Sequence, residues 1–137
     1  MAERNSSLEE QIDWSTMALW AGTLGLYFDF ARADLDELRR HLHEYLERPC
    51  PDLLSALEIR AHGMKGAARN IGLEGVADVA LELEEHFHEA RSGLRKIDPL
   101  WIEGKLTLLH ILLQRSEKLV ERRYGDLTDE CQDSDRR

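Results

Sequence analysis

The stretch LGLYFDFARADLDELRRHLHEYLE, from Leu24 to Glu47, decides the fold class. Its apolar residues recur at alternating spacings of four and three, which places them on one face of an α-helix. That face consists of Leu24, Phe28, Ala31, Leu35, Leu38, Leu42 and Tyr45. The pattern predicts a long helix with one side turned toward a core. Pro49 and Pro51 end it and mark a turn.

Four other segments also have the spacing of a helix. A short one at about 8–20 has Asp13 as a candidate N-cap, and two longer ones cover about 52–70 and 74–91. The last opens with Asp98-Pro99, which is typical of a helix start, and runs to about residue 124. We detect no strand pattern, internal repeat or low-complexity segment. The sequence therefore predicts an all-α protein, an antiparallel up-down four-helix bundle with an additional short N-terminal helix.

Three parts of the chain differ in composition. Residues 1–12 form a polar N-terminal segment, 13–124 the helical bundle and 125–137 a polar, charged tail that we expect to be disordered. With 137 residues, a single domain is expected. The two cysteines, Cys50 and Cys131, lie far apart, and we interpret them as free thiols rather than a disulfide or a metal site.

The net charge of −9 argues against binding to nucleic acid or to an anionic membrane, because both require clustered Lys and Arg. No apolar run approaches the ~20 residues that span a bilayer. The first ten residues lack the pattern of a signal peptide. We therefore expect a cytoplasmic protein that is monomeric and binds neither nucleic acid nor membrane.

One histidine of the third segment is turned away from the core. At about 100° per residue, the expected core residues of this helix lie opposite His62. They are Leu53, Leu57, Met64, Ala67, Ala68 and Ile71. Lys65, Gly66 and Arg69 fall within roughly 60° of His62. The spacing therefore predicts an exposed imidazole with two cations on the same side of the helix.

Such an arrangement suits phosphoryl chemistry. Imidazole is largely neutral near pH 7, and its free nitrogen is a good nucleophile. Lys65, one turn from His62, can neutralise charge on a phosphoryl group, and Arg69 can assist. A glycine inside a helix costs about 1 kcal/mol relative to alanine. Gly66 is explained if it lets the backbone of a partner approach His62 closely.

The run AHGMKGAARNIG, residues 61–72, resembles the signature of the histidine-containing phosphotransfer (HPt) family. That signature runs roughly His-x-Leu-Lys-Gly-small-small-x-Asn-hydrophobic-Gly. Leu81-Glu82-Leu83-Glu84 is similar to the ending of the next helix in that family. Gly63 departs from the polar residue that usually follows the histidine.

The resemblance implies a phosphorelay intermediate. His62 would accept a phosphoryl group from the aspartate of a receiver domain and pass it to another receiver, with Lys65 assisting the phosphoryl group and Gly66 leaving room for docking. The partners would be response-regulator receiver domains, among them that of a hybrid histidine kinase. The partner receiver would supply Mg²⁺, and the chain would need no cofactor of its own. We expect Ile59, about 60° from His62, and Arg69 to contact the docked receiver.

The chain is not expected to be an ATP-using enzyme, since it lacks a Gly-x-x-x-x-Gly-Lys-[Ser/Thr] loop. Some family members have a Gln near the phosphoryl site at the position of Glu84. A carboxylate would repel the phosphoryl oxygens, so we do not assign the role of that Gln to Glu84.

The sequence is also compatible with two alternatives. The first is a non-phosphorylated HPt-like scaffold or inhibitor that binds a receiver or a histidine kinase, in which case His62 would be replaceable. The second is a helical metal-binding bundle, which His41-x-His43 and His86-x-His88 suggest. Residues two apart on a helix point about 200° from each other, so neither pair can hold one ion, and we expect no metal site.

Overall fold

The computed structural model describes residues 11–125, and this range contains five α-helices. They are α1 (Trp14–Ala18), α2 (Leu24–Glu47), α3 (Pro51–Ile71), α4 (Glu74–Arg91) and α5 (Pro99–Tyr124), with a 3₁₀ turn at Ala21–Thr23 between α1 and α2. The described part of the chain has no β-strand. The predicted all-α fold is therefore confirmed.

The four long helices form an up-down bundle around one core. Each packs against its neighbours in the chain, and α2 closes the ring by packing on α5. The predicted apolar face of α2 lies inside this ring, with Phe28 fully buried, and Phe87 of α4 is buried with it. Within residues 11–125, none of the helices combines the length and apolarity needed to cross a membrane.

Local sequence signals set the helix ends. The Asp13 side chain accepts a hydrogen bond from the Thr16 backbone N–H, and hydrogen bonds from Ser15 and Thr16 lower the pKa of Asp13 to about 2. Asp98 caps α5 in the same way. Both residues are therefore N-caps, as predicted. Gly72 ends α3 with φ of 91°, where a Cβ would lie 2.5 Å from the Asp13 carbonyl oxygen, so only glycine fits there.

The chain before α1 is joined to the turn between α3 and α4. The Asp13 N–H donates to the Gly72 carbonyl over 2.7 Å, and the Glu74 N–H donates to the Gln11 carbonyl over 3.1 Å. Ile12 is buried. The segment predicted as polar thus ends on a residue that packs into the core. Residues 1–10 and 126–137 lie outside the described residues, so the N-terminal segment and the disordered tail stay predictions.

The buried face of α3 differs in detail from the predicted one. Leu54 and Ala61 are buried, whereas Leu53 is half-buried and Ala67 is exposed. This rotates the core face by about 40° relative to the prediction. The reason is that α3 packs more extensively on α4 than on α2, which the spacing within a single helix does not encode. The rotation keeps His62 outside the core.

Candidate functional site

His62 lies in the second half of α3 and its side chain is 67% exposed. The helix runs without interruption from Pro51 to Ile71, so Gly63 and Gly66 do not break it. Buried neighbours on the core side of the helix, Ala61 and Met64, hold α3 against the core. The imidazole therefore stands in solvent on a fixed backbone.

A single carboxylate on the next helix contacts both His62 and Lys65. His62 Nδ1 lies 2.5 Å from Glu84 Oε2, and Lys65 Nζ donates to Glu84 Oε1 over 2.6 Å. The side chains of Lys65 and Glu84 are each 16% exposed, so this part of the site is largely shielded. Glu84 on α4 thereby fixes both groups of α3 relative to each other.

The charge state of Glu84 decides which nitrogen of His62 carries the proton. Burial would raise the pKa of Glu84, but hydrogen bonds from Lys65 and His62 outweigh it, and the pKa lies below its usual value. An ionised carboxylate can only accept hydrogen bonds. Nδ1 of His62 must therefore be the donor, and in the neutral ring Nε2 keeps a free lone pair.

The other predicted site residues lie along the same side of α3. Ile59 is 72% exposed one turn before His62, and Arg69 is exposed two turns after it. A Cβ added at Gly66 would meet no atom within 4 Å, so the surface is open there. The structure thus joins His62 and Lys65 through Glu84, while Ile59, Gly66 and Arg69 provide the surface around them.

Sequence reasoning did not assign Glu84 to the site. From the sequence alone, only repulsion between its carboxylate and a phosphoryl group is expected. The structure places that carboxylate on Nδ1, so its effect reaches Nε2 through the ring. The signal that could have identified it is Lys65, because a largely buried carboxylate is usually paired with a cation.

A shallow apolar groove runs beside the site between α2 and α3. Its lining includes Trp20, Leu26, Phe30, Ala67 and Asn70. Phe30 is 61% exposed and Leu26 is 51% exposed. The helix bearing His62 therefore has an exposed apolar surface on one side and the contacts with Glu84 on the other.

The two histidines of each pair considered for metal binding point to different sides of their helix. His86 is buried against Trp101, with ring centroids 4.8 Å apart, whereas His88 is exposed and contacts Glu58. His43 is exposed and His41 is half-buried. In the range 11–125, no group of three or more His, Cys, Asp or Glu side chains is placed to hold a metal ion.

Comparison with protein families gives one match, to the family model described as Hpt domain, over residues 22–132. This range covers most of the chain. The chain belongs to the Hpt domain family. Hpt domains act in histidine phosphotransfer within phosphorelays, as phosphoryl carriers without an ATP site, and interact with receiver domains. Searches of curated proteins and of solved structures gave no significant match to this Hpt domain.

Proposed function

We propose that this Hpt domain is a phosphorelay intermediate of a two-component system. His62 accepts a phosphoryl group from a receiver aspartate and passes it to another receiver. The observation that carries the proposal is the contact between His62 Nδ1 and Glu84, because it leaves Nε2 unprotonated on an exposed ring. We further propose that the protein acts in the cytoplasm as a monomer.

In the forward step, Nε2 of His62 attacks the phosphorus of the aspartyl phosphate. The bond between phosphorus and the aspartate oxygen breaks, and the carboxylate leaves with the bonding electrons. Nδ1 keeps its proton throughout, so the phosphorylated ring carries a positive charge. Glu84, 2.5 Å from Nδ1, stabilises that charge.

Lys65 stabilises the phosphoryl oxygens in this mechanism. An ammonium group has three N–H donors, and the contact with Glu84 uses one of them. The remaining donors are available to the phosphoryl group. Because one carboxylate holds both Lys65 and His62, the ammonium group is in place before the phosphoryl group arrives, and little reorganisation is needed.

The second step, transfer to another receiver, regenerates the free histidine. The aspartate of a second receiver attacks phosphorus, the P–N bond breaks, and Nε2 recovers its lone pair. The Mg²⁺ for both steps belongs to the receiver in our proposal, and the Hpt domain needs no cofactor of its own. The receiver of a hybrid histidine kinase is a suitable donor.

The receiver docks on the exposed side of α3 around His62. Gly66 provides close approach, Ile59 provides apolar contact, and Arg69 provides a positive charge that attracts an acidic partner. Leu26 and Phe30 extend this surface onto α2, since they line the adjoining groove.

Phosphotransfer profiling tests the proposal. The purified chain is incubated with each phosphorylated receiver of the source organism, and transfer of label is followed over time. We expect at least one receiver to label the wild-type protein and none to label His62→Gln. The variants Ile59→Asp and Arg69→Glu should slow transfer without changing stability, because both side chains are exposed.

The same experiment separates a relay from a scaffold. A scaffold binds a receiver equally well with and without His62→Gln and accepts no phosphoryl group. Binding without transfer, in wild type and variant alike, would contradict the relay.

A further inference from the structure

The site around His62 has a counterpart on the other side of the contact between α3 and α4. Glu-x-x-x-His-x-x-[Lys/Arg] occurs twice, and each residue of the second copy lies 26 positions after its equivalent. The two copies are Glu58, His62 and Lys65 on α3, and Glu84, His88 and Arg91 on α4. Sequence inspection had detected no repeat, because the copies share only three residue types at wide spacing.

The contacts are exchanged between the two copies. Glu84 of α4 binds the histidine and the cation of α3, and Glu58 of α3 binds the histidine and the cation of α4. Glu58 Oε2 lies 3.1 Å from His88 Nδ1, and Arg91 Nε donates to Glu58 Oε1 over 2.7 Å. A local twofold relation between two antiparallel helices thus builds the same His–carboxylate–cation arrangement twice.

His88 also resembles His62 in its exposure and in its partner. Its side chain is 55% exposed. The pKa of Glu58 lies below its usual value, because hydrogen bonds from Arg91 and His88 outweigh the opposing effect of burial. Glu58 is therefore an ionised acceptor that favours a proton on Nδ1 of His88 and leaves Nε2 free.

From this arrangement we propose that His88 is a second phosphoryl-accepting histidine of this chain, phosphorylated on Nε2 by small phosphoramidate-type donors. The lone pair of Nε2 attacks phosphorus, the P–N bond of the donor breaks, and ammonia leaves. Nδ1 keeps its proton, which stays hydrogen-bonded to Glu58. The proposal does not depend on whether receivers phosphorylate His62.

Two features make His88 the slower of the two sites. Glu85 and Glu89 line the groove beside it and repel an anionic donor. Arg91 Nη2 lies 3.3 Å from His88 Nδ1 and competes with Glu58 for that nitrogen, so the tautomer is less firmly fixed than at His62. The geometry therefore gives a rank order, with His62 first, His88 second and unassisted histidines last.

Labelling of the full chain with phosphoramidate tests this order. Phosphorylation is mapped at each histidine by mass spectrometry with fragmentation that preserves the P–N bond. His43 and His110 are the internal references, because both are exposed and, within the described residues, neither has a carboxylate on Nδ1; His43 contacts Glu47 only through Nε2, over 3.5 Å. We expect His88 to react about tenfold faster than either, because a carboxylate on the other ring nitrogen fixes the tautomer and raises the basicity of the imidazole.

A pair of matched variants identifies the cause. In a His62→Gln background, Glu58→Gln should reduce labelling of His88 to the rate of His43. With His62 present, Glu84→Gln should slow labelling of His62 but not that of His88. Circular dichroism and urea unfolding establish that each variant is folded.

Equal rates at His88, His43 and His110 overturn the proposal, as does a rate at His88 that Glu58→Gln does not change. A measurement on the unmodified chain adds a second criterion. In the ¹⁵N spectrum of the neutral imidazole, His88 should carry its proton on Nδ1, and a proton on Nε2 contradicts the proposal. Failure of receivers to label His62 would remove the relay and leave this result intact.

Discussion

Lys65 donates a hydrogen bond to Glu84 over 2.6 Å, and this ion pair joins α3 to α4 directly beside an exposed histidine. Both side chains are 16% exposed, so the ammonium group is held in place rather than moving freely in solvent. Removing either partner of this ion pair should therefore change the reactivity of His62.

Replacing Lys65 by Met removes the positive charge and keeps the apolar stem. We expect phosphotransfer to His62 to slow by about 10- to 100-fold, somewhat below the loss seen when a donor is removed from a water-excluded site, because the His62 ring is exposed to water. Lys65→Arg should retain most of the rate. Single-turnover transfer from a phosphorylated receiver measures both, and equal rates for Lys65→Met and wild type would remove Lys65 from the mechanism.

Glu84→Gln tests the role of the carboxylate on Nδ1. A neutral amide can donate as well as accept, so it no longer dictates the tautomer of His62, and we expect transfer to slow by about tenfold. The matched control is Glu82→Gln, since Glu82 pairs with Lys105 on α5 and does not contact His62. If both variants transfer at the wild-type rate, Glu84 does not position the ring.

Gly66→Leu separates docking from stability. A Cβ at Gly66 or at Gly104 on α5 would meet no atom within 4 Å, so leucine should stabilise the fold by up to about 1 kcal/mol at either position. Only Gly66→Leu should slow transfer from a receiver, on the order of tenfold or more, because the clash arises in the complex. Urea unfolding and transfer kinetics measure the two effects. Equal transfer by Gly66→Leu and Gly104→Leu would contradict the clearance role of Gly66.

Buried His86 should make stability depend on pH. Its Nε2 accepts a hydrogen bond from the Asp98 N–H, and Nδ1 is buried without a partner within the described residues. Burial, with Arg95, lowers the pKa of His86 against the opposing influence of Asp98 and Glu89. The folded state therefore binds the proton less readily than the unfolded state.

The sign follows from proton linkage. The stability that His86 contributes is fully present above 6.5, the pKa of histidine in the unfolded state. It is lost as the pH falls toward the lowered pKa of His86 in the folded state. His86→Phe keeps the packing on Trp101 and removes the titrating group. Urea unfolding at pH 7.5 and pH 5.5 should therefore show a smaller loss of stability in His86→Phe than in wild type. An undiminished loss would mean that other groups carry the pH dependence, and His110→Phe at an exposed position serves as the control.

The spacing of apolar residues predicted the helices well, because each long helix has one face whose period is visible in the sequence. The N-caps Asp13 and Asp98 were also predictable, since caps depend on local backbone geometry. The exposure of His62 follows from the same local reasoning.

Contacts between helices were not predictable in this way. The pairing of Glu84 with His62, and of Glu58 with His88, depends on the register of α3 against α4. That register is set by packing across the core, and no spacing within one helix contains it. For the same reason, the sequence wrongly predicted Ala67 to lie in the core face of α3.

In the proposed mechanism, Nε2 of His62 accepts the phosphoryl group because Glu84 holds the proton on Nδ1. Nuclear magnetic resonance of ¹⁵N-labelled histidine side chains tests it directly, before and after incubation with a phosphorylated receiver. We predict a neutral His62 protonated on Nδ1 and a product in which phosphorus is bonded to Nε2. Phosphorus on Nδ1, or a His62 ring that stays unmodified while another residue takes the label, would contradict it.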